Sequence, residues 1–135
     1  MSSLENPIVV AESECKAINL FKKRTGIYAK KTKAKYSRFD AICPISKTLL
    51  EVKNRNCNST TYPTSIFPEN KIKSWKKHFP DYSLFFICCY KNGTYFYQFN
   101  DVDELEVSLG GRRDRGKDEI KNYYYIPISL FKKFD

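Results

Sequence analysis

The pattern of apolar and polar positions predicts a helix near the start of the chain. Residues 11–24, AESECKAINLFKKR, repeat their apolar positions at the spacing of one helical face, and Glu14 is the acidic member of that face. The basic residues 22–24 and the glycine at 26 are typical of a helix C-terminus. The positions that share the face are Ala11, Glu14, Cys15, Ile18 and Phe21.

Four shorter runs predict strands, because each has strand length and is rich in β-branched, aliphatic or aromatic residues. The runs RFDAIC (38–43) and TLLEVKNR (48–55) are joined by PISK. The runs YSLFFICCYK (82–91) and GTYFYQF (93–99) meet at the turn KNG. Between the two pairs, PENKIKSWKKHF (68–79) carries the apolar stripe of a second helix.

The remaining segments predict loops and short elements. GIYAKKTKAKYSR (26–38) predicts one short strand and a basic loop, NCNSTTYPTSIFP (56–68) a loop, and LGGRRDRGKDE (109–119) a basic, glycine-rich loop. NYYYIPISLFKKF (122–134) predicts a last strand and a short helical turn. This order of elements predicts an α/β (α+β) fold with helices packed on a sheet.

Composition and charge narrow the class of protein. The 135 residues, 41% of them hydrophobic, fit one domain over residues 1–135. The net charge of +9 favours a polyanionic partner, most often nucleic acid. No apolar run is long enough to predict a membrane span. Five cysteines without a CxxC motif favour neither disulfides nor zinc, and predict an intracellular, reducing compartment such as the cytoplasm or nucleus.

The segment EVK, residues 51–53, places charge inside a strand that otherwise suits a core. A turn centred between Ile45 and Ser46 pairs residues whose numbers sum to 91, so Asp40 is expected directly opposite Glu51. Directly opposite side chains share a face, with Cβ atoms about 4.5–5.5 Å apart. Lys53 shares that face too, because strand side chains alternate with period two.

This arrangement suits the hydrolysis of a phosphodiester. Two close carboxylates repel each other unless one is neutral or a divalent cation binds between them, and Mg²⁺ prefers one or two carboxylates with waters and phosphate oxygens. A neighbouring lysine supplies a point charge that can hold the attacking water or stabilise charge on the phosphate. The alternative is a solvated ion-pair network with no chemistry.

The pattern D-x10-E-V-K, formed by Asp40, Glu51 and Lys53, resembles the signature of the PD-(D/E)XK nuclease superfamily. The element order and Glu14 on the first helix resemble that superfamily as well, over residues 14 to about 99. Phe39 stands where the superfamily's name has proline. Small members include Holliday-junction resolvases and phage or viral nucleases. The resemblance implies a restriction-endonuclease-like αβββαβ core, with a mixed central sheet flanked by helices.

The resemblance also implies a mechanism and its residues. Asp40, Glu51 and the Val52 carbonyl would hold Mg²⁺ or Mn²⁺, Glu14 a second ion or a water, and Lys53 would position the nucleophile. The expected protein is a DNA endonuclease that leaves a 5′-phosphate. It has no membrane partner, and a homodimer is possible because duplex cleavage by so small a chain often needs two copies.

A non-catalytic, basic nucleic-acid-binding module, such as a degenerate nuclease fold, is the alternative. Basic side chains serve either reading, because phosphate contacts dominate nucleic-acid affinity. The tyrosines at 123–125 could stack on bases, although a strand with one aromatic face in the core explains them as well. The candidate phosphate-contacting residues are Lys30, Lys31, Lys33, Arg38, Lys71, Arg112, Arg113 and Arg115.

Overall fold

The computed structural model describes residues 7–32, 38–100, 104–110 and 121–134, and these form two helices, nine strands and a 3-10 turn. The helices are α1 (Pro7–Thr25) and α2 (Glu69–His78). The strands are β1 (Lys30–Lys31), β2 (Ala41–Cys43), β3 (Thr48–Asn54), β4 (Thr64–Pro68), β5 (Ser83–Tyr90), β6 (Gly93–Gln98), β7 (Glu106–Gly110), β8 (Lys121–Pro127) and β9 (Lys132–Lys133). The 3-10 turn, Ile128–Leu130, lies between β8 and β9.

The strands form two sheets. The central sheet has six strands in the order β1-β2-β3-β5-β6-β9, and the second has three in the order β4-β8-β7. Strands β3 and β5 are parallel and every other neighbouring pair is antiparallel, so the central sheet is mixed. The predicted α+β fold with a restriction-endonuclease-like core is therefore confirmed.

Strand β3 is the centre of this architecture because both of its faces are covered. Leu50 and Val52 point toward α1 and share a cluster with its Ala17 and Phe21. Leu49 points the other way, into a cluster with α2 and the second sheet. The two-residue alternation of a strand thus places Glu51 on the α2 side.

Two sequence expectations need correction. Residues 56–68 were expected to form a loop, but Thr64–Pro68 is strand β4, which pairs with β8 from Thr64↔Pro127 to Pro68↔Tyr123. Its partner lies about sixty residues away, so no local pattern of alternation marks it. On α1, Cys15 is exposed whereas Ala17 is buried, so the buried face is rotated from the predicted one.

The second sheet is joined to the central sheet by an aromatic contact. Phe67 of β4 is fully buried, and its ring centroid lies 4.8 Å from that of Phe86 and 4.8 Å from that of Phe99. Tyr123 of β8 is also buried, which agrees with a core role for one of the three tyrosines.

Of the two helices described, neither is long and apolar enough to cross a membrane.

Replacing Phe67 by alanine should destabilise the protein strongly. Loss of a fully buried phenylalanine costs about 3–5 kcal/mol, since the cavity adds to the lost transfer free energy. Leu109→Ala in β7 is the control, because Leu109 is 70% exposed. Urea unfolding would measure both variants. Equal losses in the two would contradict the packing of β4 on the central sheet.

Candidate active site

Asp40 lies just before strand β2, where the main chain enters the sheet. The three pairs of the β2–β3 ladder have residue numbers that sum to 91, as the sequence predicted. The register changes at Asp40, whose N–H donates to the Leu50 carbonyl oxygen at 3.0 Å although Leu50 already pairs with Ala41. Two residues then face one, as in a β-bulge. The expectation that Asp40 stands directly opposite Glu51 is therefore wrong.

The bulge directs the Asp40 carboxylate toward Val52 of β3. The Val52 N–H donates to Asp40 Oδ2 at 2.7 Å. In a strand the N–H and C=O of one residue point to the same side, as the paired bonds of antiparallel ladders require. The Val52 carbonyl is therefore aimed past the end of β2 as well, on the side where Asp40 lies.

Glu51 is a carboxylate inside the core. Its side chain is 3% exposed, and its strand neighbour on β5 is Phe86. Two ammonium groups contact it: Lys71 Nζ lies 3.5 Å from Oε1, and Lys53 Nζ lies 3.9 Å from Oε2. Asp40 is close enough to act on Glu51 electrostatically. The structure thus brings together four charged side chains, from the residue before β2, from β3 and from α2.

The protonation of Glu51 reflects this environment. Burial raises the pKa of Glu51 to about 7, and the negative charge of Asp40 raises it too, while Lys71 and Lys53 oppose the shift. Removal from water disfavours the charged carboxylate, and a like charge nearby does the same. A further positive charge close to both carboxylates would therefore stabilise their ionised forms.

The donor set fits a hard divalent cation. Asp40, Glu51 and the Val52 carbonyl are all oxygen donors, which Mg²⁺ and Mn²⁺ prefer, and waters and phosphate oxygens complete such sites. Within the part of the chain described, no group of three or more Asp, Glu, His or Cys side chains is arranged to hold an ion. The fit therefore depends on two carboxylates and a main-chain carbonyl.

Glu14 forms an ion pair with a lysine of the edge strand β1. Its carboxylate Oε1 lies 3.2 Å from Lys31 Nζ, and Lys31 pairs with Ala41, the residue after Asp40. Nearby on α1, Ser13 Oγ donates to Asn54 Oδ1 at 3.2 Å, at the end of β3. Glu14 therefore lies at the same end of the sheet as the site but is paired with a lysine there.

The candidate phosphate-contacting residues fall in several places. Lys30 and Lys31 form the exposed edge strand β1, and Arg38 is exposed two residues before Asp40. Lys71 reaches the cluster itself from α2. Four candidates lie outside the described residues: Lys33, Arg112, Arg113 and Arg115.

The contact between Lys71 and Glu51 is the site feature that the sequence did not predict. The sequence makes Lys71 a candidate phosphate contact, with packing of its stem on Trp75 as the alternative. The two residues are 20 positions apart in the chain, with β4 between them, and no spacing rule links a helix residue to a strand residue across such a crossover. The apolar stripe of α2 was the only signal, because it fixes which side of the helix faces the sheet.

Comparison with known families places the chain in a family of phage proteins. The model of a family described as "Phage putative PDDEXK endonuclease" matches residues 12–134. This range holds Asp40, Glu51 and Lys53 and extends through both sheets. Neither the curated proteins nor the solved structures contain a match to the chain.

Replacing Glu51 by glutamine should stabilise the metal-free protein at high pH. The pKa of Glu51 is raised from 4.5 to about 7, so the folded state binds more protons than the unfolded chain between these values. The free energy of unfolding then falls as pH rises through this window. Above the raised pKa the free energy of unfolding has fallen by about 3 kcal/mol, because each unit of pKa shift corresponds to about 1.36 kcal/mol. Glu51→Gln lacks this loss, so it should unfold at higher urea than wild type at pH 8.5 but not at pH 4.

Glu69→Gln is the matched control, since Glu69 also pairs with a lysine of α2, with Lys73 Nζ 3.6 Å from Oε1, but its side chain is 24% exposed. Urea unfolding in EDTA at both pH values would measure all three proteins. A Glu51→Gln variant that gains no stability relative to wild type at pH 8.5 would contradict the burial of an ionisable Glu51.

Proposed function

Since this chain belongs to the family of phage putative PDDEXK endonucleases, we propose that it is a divalent-metal-dependent nuclease that hydrolyses phosphodiester bonds in DNA. The observation that carries the proposal is the convergence of Asp40, Glu51 and Lys53 along the second half of strand β3. Asp40 is fixed by the Val52 N–H, Glu51 is buried, and Lys53 lies 3.9 Å from Glu51. A structural ion pair on a solvated face would not need a buried carboxylate with a raised pKa.

Three groups would hold the divalent cation: the carboxylates of Asp40 and Glu51 and the carbonyl of Val52. When bound, a divalent cation would stabilise negative charge on the phosphate and would lower the pKa of a bound water, which makes the proton of that water easier to remove. The chain's own contribution is to fix its donors before the substrate arrives. The Val52 N–H holds one oxygen of Asp40, and the core side chains around β3 restrict Glu51.

Lys53 is the proposed catalytic cation. Its side chain is 39% exposed, so the ammonium group faces both Glu51 and solvent. An ammonium group has three donors. It can hold a water for in-line attack on phosphorus and donate to a phosphate oxygen whose negative charge grows in the transition state.

Substrate binding is assigned to the basic residues around the site. Lys30, Lys31 and Arg38 lie along the end of the sheet that leads to Asp40, where a phosphate backbone would meet positive charge. Lys33 and the three arginines at 112, 113 and 115 remain proposed contacts. Cleavage of both strands of a duplex would call for two copies of the chain, so a homodimer on DNA also remains a proposal.

Glu14 is proposed as a secondary residue. Its ion pair with Lys31 must open before its carboxylate can hold a second ion or a water. Because the pair is partly exposed, this opening costs little, on the order of 1 kcal/mol or less. Replacement of Glu14 should accordingly slow cleavage less than replacement of Glu51.

Lys53→Ala should abolish most turnover while leaving DNA binding nearly intact. Loss of one group that stabilises transition-state charge typically lowers kcat by about 10²–10³. Lys73→Ala is the matched control, because Lys73 lies on α2 with 74% of its side chain exposed and pairs only with Glu69 among the contacts described. Cleavage of labelled DNA and its binding in EDTA would be measured side by side. Near-normal cleavage by Lys53→Ala would overturn the assignment.

Cleavage should require a divalent cation and Glu51. Supercoiled plasmid, a branched junction and single-stranded DNA would each be incubated with Mg²⁺, with Mn²⁺ and with EDTA, using wild type, Glu51→Gln and Glu69→Gln. We expect cutting by wild type and Glu69→Gln with metal, and none with EDTA or with Glu51→Gln. Binding without any cutting, with steep salt dependence and no response to EDTA, would identify a non-catalytic nucleic-acid-binding module instead.

A further inference from the structure

Both oxygens of Glu51 already have a cationic neighbour. Lys71 Nζ lies 3.5 Å from Oε1 and Lys53 Nζ 3.9 Å from Oε2. A directly coordinated Mg²⁺ or Ca²⁺ must approach a carboxylate oxygen to about 2.0–2.6 Å. Two ammonium groups and a divalent ion around one buried carboxylate repel each other strongly, since charges in a site of low dielectric are poorly screened. At least one lysine contact must therefore lengthen when the ion binds.

Lys71 has the better means of moving. Its ammonium group also donates to the main-chain carbonyl of Arg38 and lies 5.4 Å from the ring centroid of Phe39. These partners remain when the contact with Glu51 is lost, so the ammonium is not left unpaired. Lys53 is two residues from Glu51 on the same strand and the same face, so its backbone cannot move away from Glu51 independently.

We propose that Lys71 is the resident counter-cation of the metal site. In the metal-free protein its ammonium group occupies Glu51 Oε1, and it must release this oxygen before a divalent cation binds Glu51. This inference rests on the proposed function, because it takes Glu51 as a metal ligand. Lys71 is then a positioning residue. Together with Lys53 it stabilises the buried charge of Glu51 until the cation arrives, and it lowers the affinity for that cation by competing with it.

The consequence is that removing the positive charge at residue 71 tightens metal binding. A hydrogen bond to a charged group is stronger than a neutral one, and partial exposure of Lys71 reduces its contribution, so we expect about a tenfold lower dissociation constant. A lysine that merely stabilised the fold would have the opposite effect, because its loss would loosen the ligands. The direction of the change therefore separates the two roles.

Calorimetric titration of the metal-free protein with Mg²⁺ and with Ca²⁺ tests this directly. Titration at pH 9 keeps Glu51 ionised while lysine stays charged, so a change of protonation does not obscure the competition. Lys71→Met removes both the charge and the hydrogen bond. Lys71→Gln removes the charge but can still donate to the Arg38 carbonyl, and it guards against a Met variant that fails to fold. Lys71→Arg keeps the charge.

We expect Lys71→Met and Lys71→Gln to bind both ions about tenfold more tightly than wild type, and Lys71→Arg to bind them like wild type. Lys73→Met is the matched control, since Lys73 lies on the same helix and pairs with a different glutamate, Glu69. It should leave metal affinity unchanged. Lys53→Met should tighten binding less than Lys71→Met.

Unchanged or weaker metal binding by Lys71→Met and Lys71→Gln would overturn the inference. A larger gain in Lys53→Met than in Lys71→Met would overturn it also, because Lys53 would then be the competing cation. If either of these two results is found but wild type binds the metal ions and Glu51→Gln does not, the inference fails and the proposed function stands. No binding of either ion to wild type would overturn the metal site and the inference together.

Discussion

The burial of Glu51 on the core face of β3 is the constraint on which this structure depends. A carboxylate that is 3% exposed, with Leu49 two residues before it in the core, is strongly destabilising unless positive charge accompanies it. Two elements supply that charge. Lys53 comes from the same strand, and Lys71 comes from the crossover helix that follows the second sheet's first strand.

The parallel pairing of β3 and β5 explains why a helix residue reaches the site at all. A parallel pair requires a crossover connection, and here the crossover contains β4 and α2. The connection brings the N-terminal turn of α2 over Glu51 and the carbonyl of Arg38. Thr32 fixes the main chain that follows Arg38. Its Oγ1 donates to the Phe39 carbonyl at 2.6 Å, and its N–H donates to the Asp40 carbonyl at 3.0 Å. The edge strand, the bulge and the crossover helix thus hold the two carboxylates as one unit.

At Glu51 the requirement for a stable fold opposes the requirement of the proposed function. The raised pKa of Glu51 means that ionisation of this carboxylate, the form a cation would bind, lowers the free energy of unfolding. A site whose charged groups are fixed in advance stabilises a charged ligand when it binds, but it lowers the stability of the protein without that ligand. The lysines reduce that cost, because Lys71 and Lys53 both place positive charge beside Glu51.

Much of the site followed from the sequence because the information was local. The register of the β2–β3 hairpin depends on a four-residue turn, and the faces of β3 depend on strict alternation, so Leu50 and Val52 were assigned correctly to one face and Glu51 and Lys53 to the other. The sequence predicted the buried face of α1 approximately. Ile18 and Phe21 are buried as expected, but Cys15 is exposed.

Only the tertiary structure decided the rest. The bulge at Asp40, the pairing of β4 with β8, the Glu14–Lys31 ion pair and the Lys71–Glu51 contact all join segments whose proximity no periodicity encodes. Periodicity determines which face of an element is apolar, because that depends on neighbours a few residues away. Which charged groups meet across the fold depends instead on how the crossover packs, and that is settled by the whole core.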